Sequence, residues 1–204
     1  MSEQHSPWST APGHYGIASS SRLTLQETRI AAAWNLQGDG SDAAFTDQAM
    51  RSFGIAQLPG TNGTVRSKAV RAFWLGPGSW LLLAGSVPGE AHPLRGFPVH
   101  RDAFNAVGGA LFDLSASRIG WRVAGPMAFA LLSSGCPLDL HPRAFAPGTC
   151  AQSLFGHVGA LYWRDMAGDF HLFVARSLAR DAWEMLCATG AQFGYDVLAP
   201  TTLP

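Results

Sequence analysis

Four side chains that can bind a transition metal lie close together in the second half of the chain. Cys136, His141, Cys150 and His157 fall within 22 residues, and thiolate and imidazole are the usual protein ligands of zinc. Zinc motifs owe their specificity to closely spaced pairs of the C-x-x-C or H-x-x-x-H type. Because the sequence contains neither pair, we favour small buried thiols and locally hydrogen-bonded loop histidines over a metal site.

A cysteine nucleophile would need a helix N-terminus or a cation that lowers the pKa of its thiol. Cys136 follows a predicted helix and therefore lies at the negative end of the helix dipole. Cys187 falls inside the last predicted helix, and the sequence does not define the setting of Cys150. Three cysteines are an odd and sparse set, which fits reduced thiols in a cytoplasmic protein better than a disulfide framework.

Two carboxylates and one arginine complete the set of candidate reactive side chains. Asp113 and Asp139 stand beside strand or turn signals, where a carboxylate usually caps backbone N–H groups. Arg176 and Ser177 could hold an anion at a helix N-terminus, but an ordinary N-cap is the commoner use of such a pair. The chain has no phosphate-binding loop, no G-x-G-x-x-G after a strand and no G-x-S-x-G elbow. The residues alone therefore predict no catalytic, cofactor-binding or metal-binding residue.

The composition excludes some partners and leaves one question open. Among 204 residues, 14 Lys and Arg balance 14 Asp and Glu, so neither nucleic acid nor an anionic membrane is an expected partner. Only 14% of the residues are charged, and seven are Trp. This fits either a large core or a surface covered by a partner. The first twenty residues lack the apolar core of a signal peptide, so a cytoplasmic location is expected.

Hydrophobic alternation and turn residues divide the chain into a flexible arm over 1–21 and two α+β units over 22–115 and 116–204. We expect the two units to be tightly fused into one globular body with mainly antiparallel sheets. The elements predicted in the first unit are a strand near 29–37, a helix capped by Ser41 and closed by Gly54, a connection over 58–68, hairpin strands at 69–75 and 79–84, a loop over 87–100, a helix near 101–107 and a strand at 110–114. This order is that of a ferredoxin-like unit.

The hairpin of the first unit contains the most apolar strand of the chain. Gly76-Pro77-Gly78-Ser79 suits a type II turn, which needs a positive φ at its second central residue. The following run, 80–83, is apolar at every position. Such a strand is either buried on both faces or covered by something else.

The second unit begins with a strand in which Ile119, Trp121 and Val123 share one face. Gly125 and Pro126 suit the start of a helix whose apolar residues, 127–132, predict full burial, and Gly135 suits its left-handed end. The remaining predicted elements are strands at 151–155, 159–164 and 170–174, a hairpin loop at 165–169, and a helix that begins at Ser177 and ends at Gly190.

Several segments resemble the gamma subunit of heterotetrameric sarcosine oxidase. The resemblance covers about 74–194, and its motifs are WLGPGSWLLL (74–83), DLSASR (113–118), VAGPMAFALLSSGCPLDLHPRAF (123–145), GTCAQ (148–152), GHV (156–158) and FHLFVARSLAR (170–180). The Gly-Pro helix start is shared more widely, with the aminomethyltransferases and their folate-binding relatives. The resemblance implies the fold of that folate-binding family.

The resemblance also implies a function. It points to a structural subunit of an αβγδ enzyme that oxidatively demethylates sarcosine to glycine, with hydrogen peroxide and 5,10-methylenetetrahydrofolate as the other products. FAD, FMN, NAD, tetrahydrofolate and zinc would be held by the alpha, beta and delta subunits, and this chain would carry no cofactor and pack mainly on alpha.

A second hypothesis is a stand-alone folate-binding protein of one-carbon transfer, related to the aminomethyltransferases. Such a protein needs an acidic residue in its substrate cavity, and Asp113 is the one candidate whose local sequence resembles that residue. The first hypothesis carries a further expectation. If a partner covers the apolar strand at 80–83, the chain is stable only in the assembly.

Overall fold

The structure is a computed structural model in which residues 9–17, 23–85 and 96–203 are described. The strands are β1 (Gly13–Tyr15), β2 (Thr24–Arg29), β3 (Ala32–Gln37), β4 (Thr64–Arg66), β5 (Arg71–Gly76), β6 (Ser79–Ala84), β7 (Ala110–Asp113), β8 (Arg118–Ala124), β9 (Cys150–Phe155), β10 (Val158–Arg164), β11 (Phe170–Ala175) and β12 (Tyr195–Thr202). The α-helices are α1 (Ala43–Phe53), α2 (Phe97–Asn105), α3 (Ala128–Ser133) and α4 (Ala179–Gly190).

The chain divides into two compact units, each with one sheet. The five-stranded unit consists of the described residues within Arg29–Arg118 and Thr202–Pro204, and the seven-stranded unit of those within Met1–Thr28 and Ile119–Thr201. Eight strand pairs, four in each sheet, are antiparallel: β1–β12, β2–β8, β9–β10 and β10–β11 in one, and β3–β6, β3–β7, β4–β5 and β5–β6 in the other. The predicted α+β class with mainly antiparallel sheets is therefore confirmed. The finer division into 1–21, 22–115 and 116–204 stays a prediction.

The five-stranded unit has the order β4-β5-β6-β3-β7. Without the short edge strand β4, its chain order is strand–helix–strand–strand–helix–strand, as predicted. The predicted loop over 87–100 lies largely outside the described residues, but its last part begins α2 at Phe97, where Pro98 suits the first turn. Phe45, Phe53 and Phe104 bring the two helices together at ring-centroid distances of 5.6 and 5.9 Å. One core cluster thus joins both helices to the sheet.

Helix α1 begins one residue later than predicted. Asp42 is the N-cap, and its carboxylate accepts hydrogen bonds from the backbone N–H groups of Ala44 and Phe45. The predicted cap, Ser41, instead donates its hydroxyl to the Asp39 carboxylate at 2.7 Å. The helix ends as predicted at Gly54, whose φ of 67° is left-handed. The helix buries Phe45, Ala49 and Phe53, whereas the apolar residue Met50 is 52% exposed.

The predicted hairpin is confirmed as β5 and β6, with Gly78 at a φ of 65° in the turn. The apolar run Trp80–Leu83 is buried within the chain itself, and none of its residues is more than 5% exposed. Trp80 also donates its indole N–H to the Pro59 carbonyl at 2.9 Å. This strand is therefore a core strand, and it leaves no apolar surface that a partner must cover.

The seven-stranded unit has the order β1-β12-β2-β8-β11-β10-β9. The predicted meander of β9, β10 and β11 is confirmed, with 165–169 as the loop of its second hairpin. Strands β1, β2 and β12 were not predicted. Ile119, Trp121 and Val123 are buried in its core, as their alternation indicates.

The start and end of α3 differ from the predictions. The helix begins at Ala128, so Gly125 and Pro126 belong to the preceding turn, in which Gly125 has a φ of 103°. Its burial is incomplete, since Phe129 is 38% exposed. Gly135 has no left-handed conformation. It is needed for a different reason: a Cβ atom there would lie 2.7 Å from two ring carbons of Phe155.

The last helix also lacks its predicted cap. Arg176–Leu178 form a 3-10 helix, and α4 follows from Ala179 without any side-chain hydrogen bond at its N-cap. Ser177 therefore does not cap the helix. Gly190, the predicted end, is the last residue of α4.

Candidate functional site

The four candidate metal ligands do not form a cluster. In the part of the chain that the structure describes, no three His, Cys, Asp or Glu side chains are arranged to hold a metal ion. Cys136 and Cys150 are buried, whereas His141 and His157 are exposed. His141 accepts a hydrogen bond from the backbone N–H of Arg143 at 3.2 Å, which is the local role expected for a loop histidine.

Cys136 and Cys150 are buried, and Cys187 is partly buried. Cys136 lies beside the hydroxyl of Tyr162, which donates a hydrogen bond to the Leu154 carbonyl at 2.9 Å. Burial raises the pKa of Cys187, and a hydrogen bond with Tyr195 lowers it by less. A thiol with a raised pKa holds little thiolate at neutral pH, so Cys187 is a weak nucleophile.

Both candidate carboxylates cap backbone groups. Asp113 accepts the N–H of Ser115 at 2.9 Å, and Asp139 accepts the N–H of His141 at 2.9 Å. Each forms a turn in which the side chain bonds the backbone two residues further on. Asp113 is exposed at the end of β7, so it does not lie in a closed cavity of the kind a transferase uses for its substrate.

A buried histidine–aspartate pair in the seven-stranded unit was not predicted from the sequence. His171 of β11 has no exposed surface, and its Nε2 lies 3.0 Å from Oδ2 of Asp165 in the β10–β11 loop. The imidazole stacks on Trp163 at a centroid distance of 4.4 Å, because Trp163 and His171 are opposite each other in the register of the two strands. The signal in the sequence was a single histidine inside an apolar strand, next to a loop with two aspartates.

Neighbouring groups and burial determine the protonation states of His171 and Asp165. Asp165 accepts two backbone N–H groups of its own loop, at 2.9 and 3.0 Å. Arg122 of β8 bonds Asp169 in the same loop, with Nε 2.9 Å from Oδ2. Burial lowers the pKa of His171 more than the hydrogen bond to Asp165 raises it. Burial alone would raise the pKa of Asp165, but the bonds from His171 and the backbone hold it below its ordinary value.

The buried pair cannot act on a substrate. His171 is inaccessible to solvent, and its Nδ1 has no hydrogen-bond partner among the described residues. The pair, the loop N–H groups and Arg122 together join the β10–β11 hairpin to β8. We therefore assign this cluster a structural role.

A surface groove of the five-stranded unit is lined by basic residues. It has a volume of about 190 Å³ and lies between the β4–β5 hairpin and the chain near Leu203. Its basic lining residues are Arg66, Lys68 and Arg71. The groove offers cations to an anionic group, and its described lining residues include no Asp, Glu, His or Cys.

Two solved structures share this fold. Heterotetrameric sarcosine oxidase from Corynebacterium sp. U-96, in complex with pyrrole 2-carboxylate, matches with a TM-score of 0.74 and 24% identity over 86% of this chain and 87% of that chain. The glycine cleavage system aminomethyltransferase T from Bartonella henselae matches with a TM-score of 0.58 and 14% identity over 88% of this chain and 48% of that chain. The fold is therefore that of the aminomethyltransferase group, as the sequence predicted.

The sequence comparisons identify a family for the chain. Residues 37–192 match the family described as "Sarcosine oxidase, gamma subunit family". The sarcosine oxidase subunit gamma of Corynebacterium sp. (strain U-96) is 31% identical over 72% of this chain and 69% of its own length. Its counterpart from Corynebacterium sp. (strain P-1) is 28% identical over 79% and 75%. The chain belongs to the sarcosine oxidase gamma subunit family.

Proposed function

We propose that this chain is the non-catalytic gamma subunit of a heterotetrameric sarcosine oxidase. The enzyme oxidatively demethylates sarcosine and forms glycine, hydrogen peroxide and 5,10-methylenetetrahydrofolate. The observation that carries the proposal is the family match over residues 37–192. It is supported by two relatives named sarcosine oxidase subunit gamma, which this chain matches over most of their length.

The settings of the candidate reactive residues support a role without chemistry on this chain. Cys136 and Cys150 are buried, and Asp113 and Asp139 cap backbone N–H groups. A nucleophile or a general acid must reach its substrate. These thiols are buried, and these carboxylates are hydrogen-bonded to backbone N–H groups. We therefore propose that this chain has no catalytic, cofactor-binding or metal-binding residue.

The proposal extends to the rest of the assembly. The alpha, beta and delta subunits hold FAD, FMN, NAD, tetrahydrofolate and zinc, and alpha is the main contact of this chain. The complex works in the cytoplasm. Within the described ranges, no helix is both long and apolar enough to cross a membrane.

The alternative, a stand-alone folate-binding protein, has less support. Its one candidate acid, Asp113, is exposed and bonds Ser115. The match to aminomethyltransferase T, at 14% identity, concerns the fold, and a shared fold does not carry a shared activity.

Reconstitution with and without this chain tests the proposal. The alpha, beta and delta subunits from the same source are co-expressed, either alone or together with this chain. We expect a stable complex with sarcosine-dependent peroxide formation only when the chain is present. Full assembly and full activity in its absence would contradict the proposal, and folate-dependent transfer by the chain alone would support the alternative.

A further inference from the structure

Positive charge is concentrated on the β4–β5 hairpin of the five-stranded unit. Arg66, Lys68 and Arg71 lie within six residues, and Lys68 is the only lysine of the chain. The sequence from 48 to 89 contains no Asp or Glu. In a protein with a formal net charge of zero, this segment carries a local excess of positive charge.

The hairpin holds its cations close together. Arg66 and Arg71 are direct partners in the register of β4 and β5, a position in which like charges repel. Between them, Ser67 fixes the turn, because its hydroxyl accepts two backbone N–H groups at 3.0 and 3.2 Å. Lys68 extends from this turn and is exposed. Arg66 and Lys68 thus present two exposed cations beside the turn.

The cations line one side of the basic groove described above. Its other side is formed by Leu83, Gly85, Thr202 and Leu203. No acidic residue is among the described lining residues, and within the described chain Arg66 and Lys68 take part in no ion pair. A concave site lined by charges of one sign concentrates the field and attracts the opposite charge.

We propose that the basic groove binds an acidic segment of a partner subunit. This inference rests on the proposed function, which supplies the partner. A small anion is usually held by a few buried donors that converge on it, whereas Arg66 at the end of β4 and Lys68 in the turn after it are exposed. β4 lies at the edge of its sheet, where an extended segment can pair with its outer backbone groups. Carboxylates on such a segment can then lie beside Arg66 at the end of β4 and Lys68 in the turn that follows.

The single lysine gives a direct test in the assembled complex. A zero-length carbodiimide joins a lysine amine to a carboxylate as an amide with loss of water, and it needs the two groups in contact. We expect a cross-link between the peptide that contains Lys68 and a partner peptide rich in Asp or Glu, identified by mass spectrometry. Lys68→Arg should abolish this cross-link without weakening assembly, because the charge remains.

Charge reversal tests how much Arg66 and Lys68 contribute to the affinity for the partner subunit. The double variant Arg66→Glu/Lys68→Glu should weaken binding to the remaining subunits by about tenfold or more at low salt. The difference from wild type should shrink at high salt, where exposed charges are screened. Arg51→Glu is the matched control, because Arg51 is an exposed arginine in the same acid-free stretch but lies outside the groove. It should leave the affinity unchanged.

The possible outcomes separate this inference from the proposed function. A wild-type chain that does not join the complex contradicts the proposed function. A complex that forms equally well with the double variant, and shows no cross-link from Lys68, overturns the groove while the proposed function stands. Binding of citrate or phosphate that requires Arg66 and Lys68, together with unchanged assembly of the double variant, identifies a small-anion site and also overturns the inference.

Discussion

At the scale of single residues, the most unusual side chain is His171. It is buried, stacked on Trp163 and bonded to Asp165, and the positive charge of Arg122 adds to the effect of burial on its pKa. Its pKa therefore lies below the ordinary value of 6.5, and the imidazole stays neutral inside the fold at neutral pH. Asp165 stays ionised, because its pKa is also lowered.

The lowered pKa of His171 makes stability depend on pH. Between the ordinary and the lowered value, the unfolded chain binds a proton that the folded chain does not. The free energy of unfolding should therefore fall as the pH falls below 6.5, by at most about 1.4 kcal/mol per pH unit for this group. Urea denaturation from pH 8 to pH 5 measures this slope.

His171→Gln is the control for the pH dependence. Glutamine can keep an N–H near Asp165 but does not titrate in this range, so the variant should have a shallower slope whatever its stability at pH 8. His100, whose pKa burial also lowers, contributes equally to both proteins and cancels in the comparison. Equal slopes in both proteins would show that His171 does not carry the effect.

Gly135 leads to a second prediction at this scale. A Cβ atom would meet the ring of Phe155 at 2.7 Å and the backbone nitrogen of Gly156 at 3.2 Å. Gly135→Ala should therefore lower the free energy of unfolding by about 1–3 kcal/mol, the usual effect of overpacking.

Gly159→Ala is the matched control for Gly135→Ala. Gly159 is exposed, and a Cβ atom there meets no heavy atom within 4 Å. It should be neutral or slightly stabilising, because alanine restricts the unfolded chain. Equal melting temperatures for the two variants would contradict the proposed close packing at Gly135.

At the scale of elements, the N-cap of α1 is Asp42, whereas the sequence predicted Ser41. Asp42→Ala removes two hydrogen bonds to backbone N–H groups, at 2.6 and 3.2 Å, and should cost about 1 kcal/mol of stability. Ser41→Ala removes one exposed bond to Asp39 and should cost much less. Thermal unfolding of both variants measures the difference, and a larger loss for Ser41→Ala would reverse the assignment.

The elements that could be predicted from the sequence are those set by local signals. The β5–β6 hairpin has its own turn residues, Pro77 and Gly78, and the β9–β11 meander consists of apolar runs separated by short polar loops. Both were predicted within one or two residues. Interactions within a dozen residues define these elements, so a single sequence contains the necessary information.

Strands β1, β2 and β12 could not be predicted, because distant partners define them. β1 pairs with β12, and His14 is opposite Asp196, far along the chain. β12 contains Pro200, a residue that argues against a strand. β2 carries mostly polar residues and pairs with β8. The buried pair of His171 and Asp165 lies within one hairpin, but its burial depends on neighbouring elements, and the contact of its loop with Arg122 comes from the distant strand β8.

At the scale of the whole molecule, the core accounts for the tryptophans. Of the six tryptophans that are described, five are buried: Trp34, Trp80, Trp121, Trp163 and Trp183. The tryptophan content, which fitted either a large core or a covered surface, is thus explained by the core. The expectation that the chain is stable only with its partner stays a prediction, and the strand over 80–83 no longer supports it.

The isolated chain gives another prediction at this scale. We expect the purified chain to be colourless and to carry neither flavin nor zinc in stoichiometric amount, because the cofactors belong to the other subunits of the proposed complex. Visible absorption and elemental analysis of the lone chain check this. A bound flavin or one zinc per chain would require a site on this subunit.

The central claim is that this chain works as one subunit of a larger oxidase. Native mass spectrometry of the complex captured through a tag on this chain tests the claim most directly. We predict one copy of the 21.7 kDa chain together with alpha, beta and delta subunits, in a particle that forms peroxide from sarcosine. A tagged chain recovered alone, with no affinity for an alpha subunit expressed in the same cell, would contradict it.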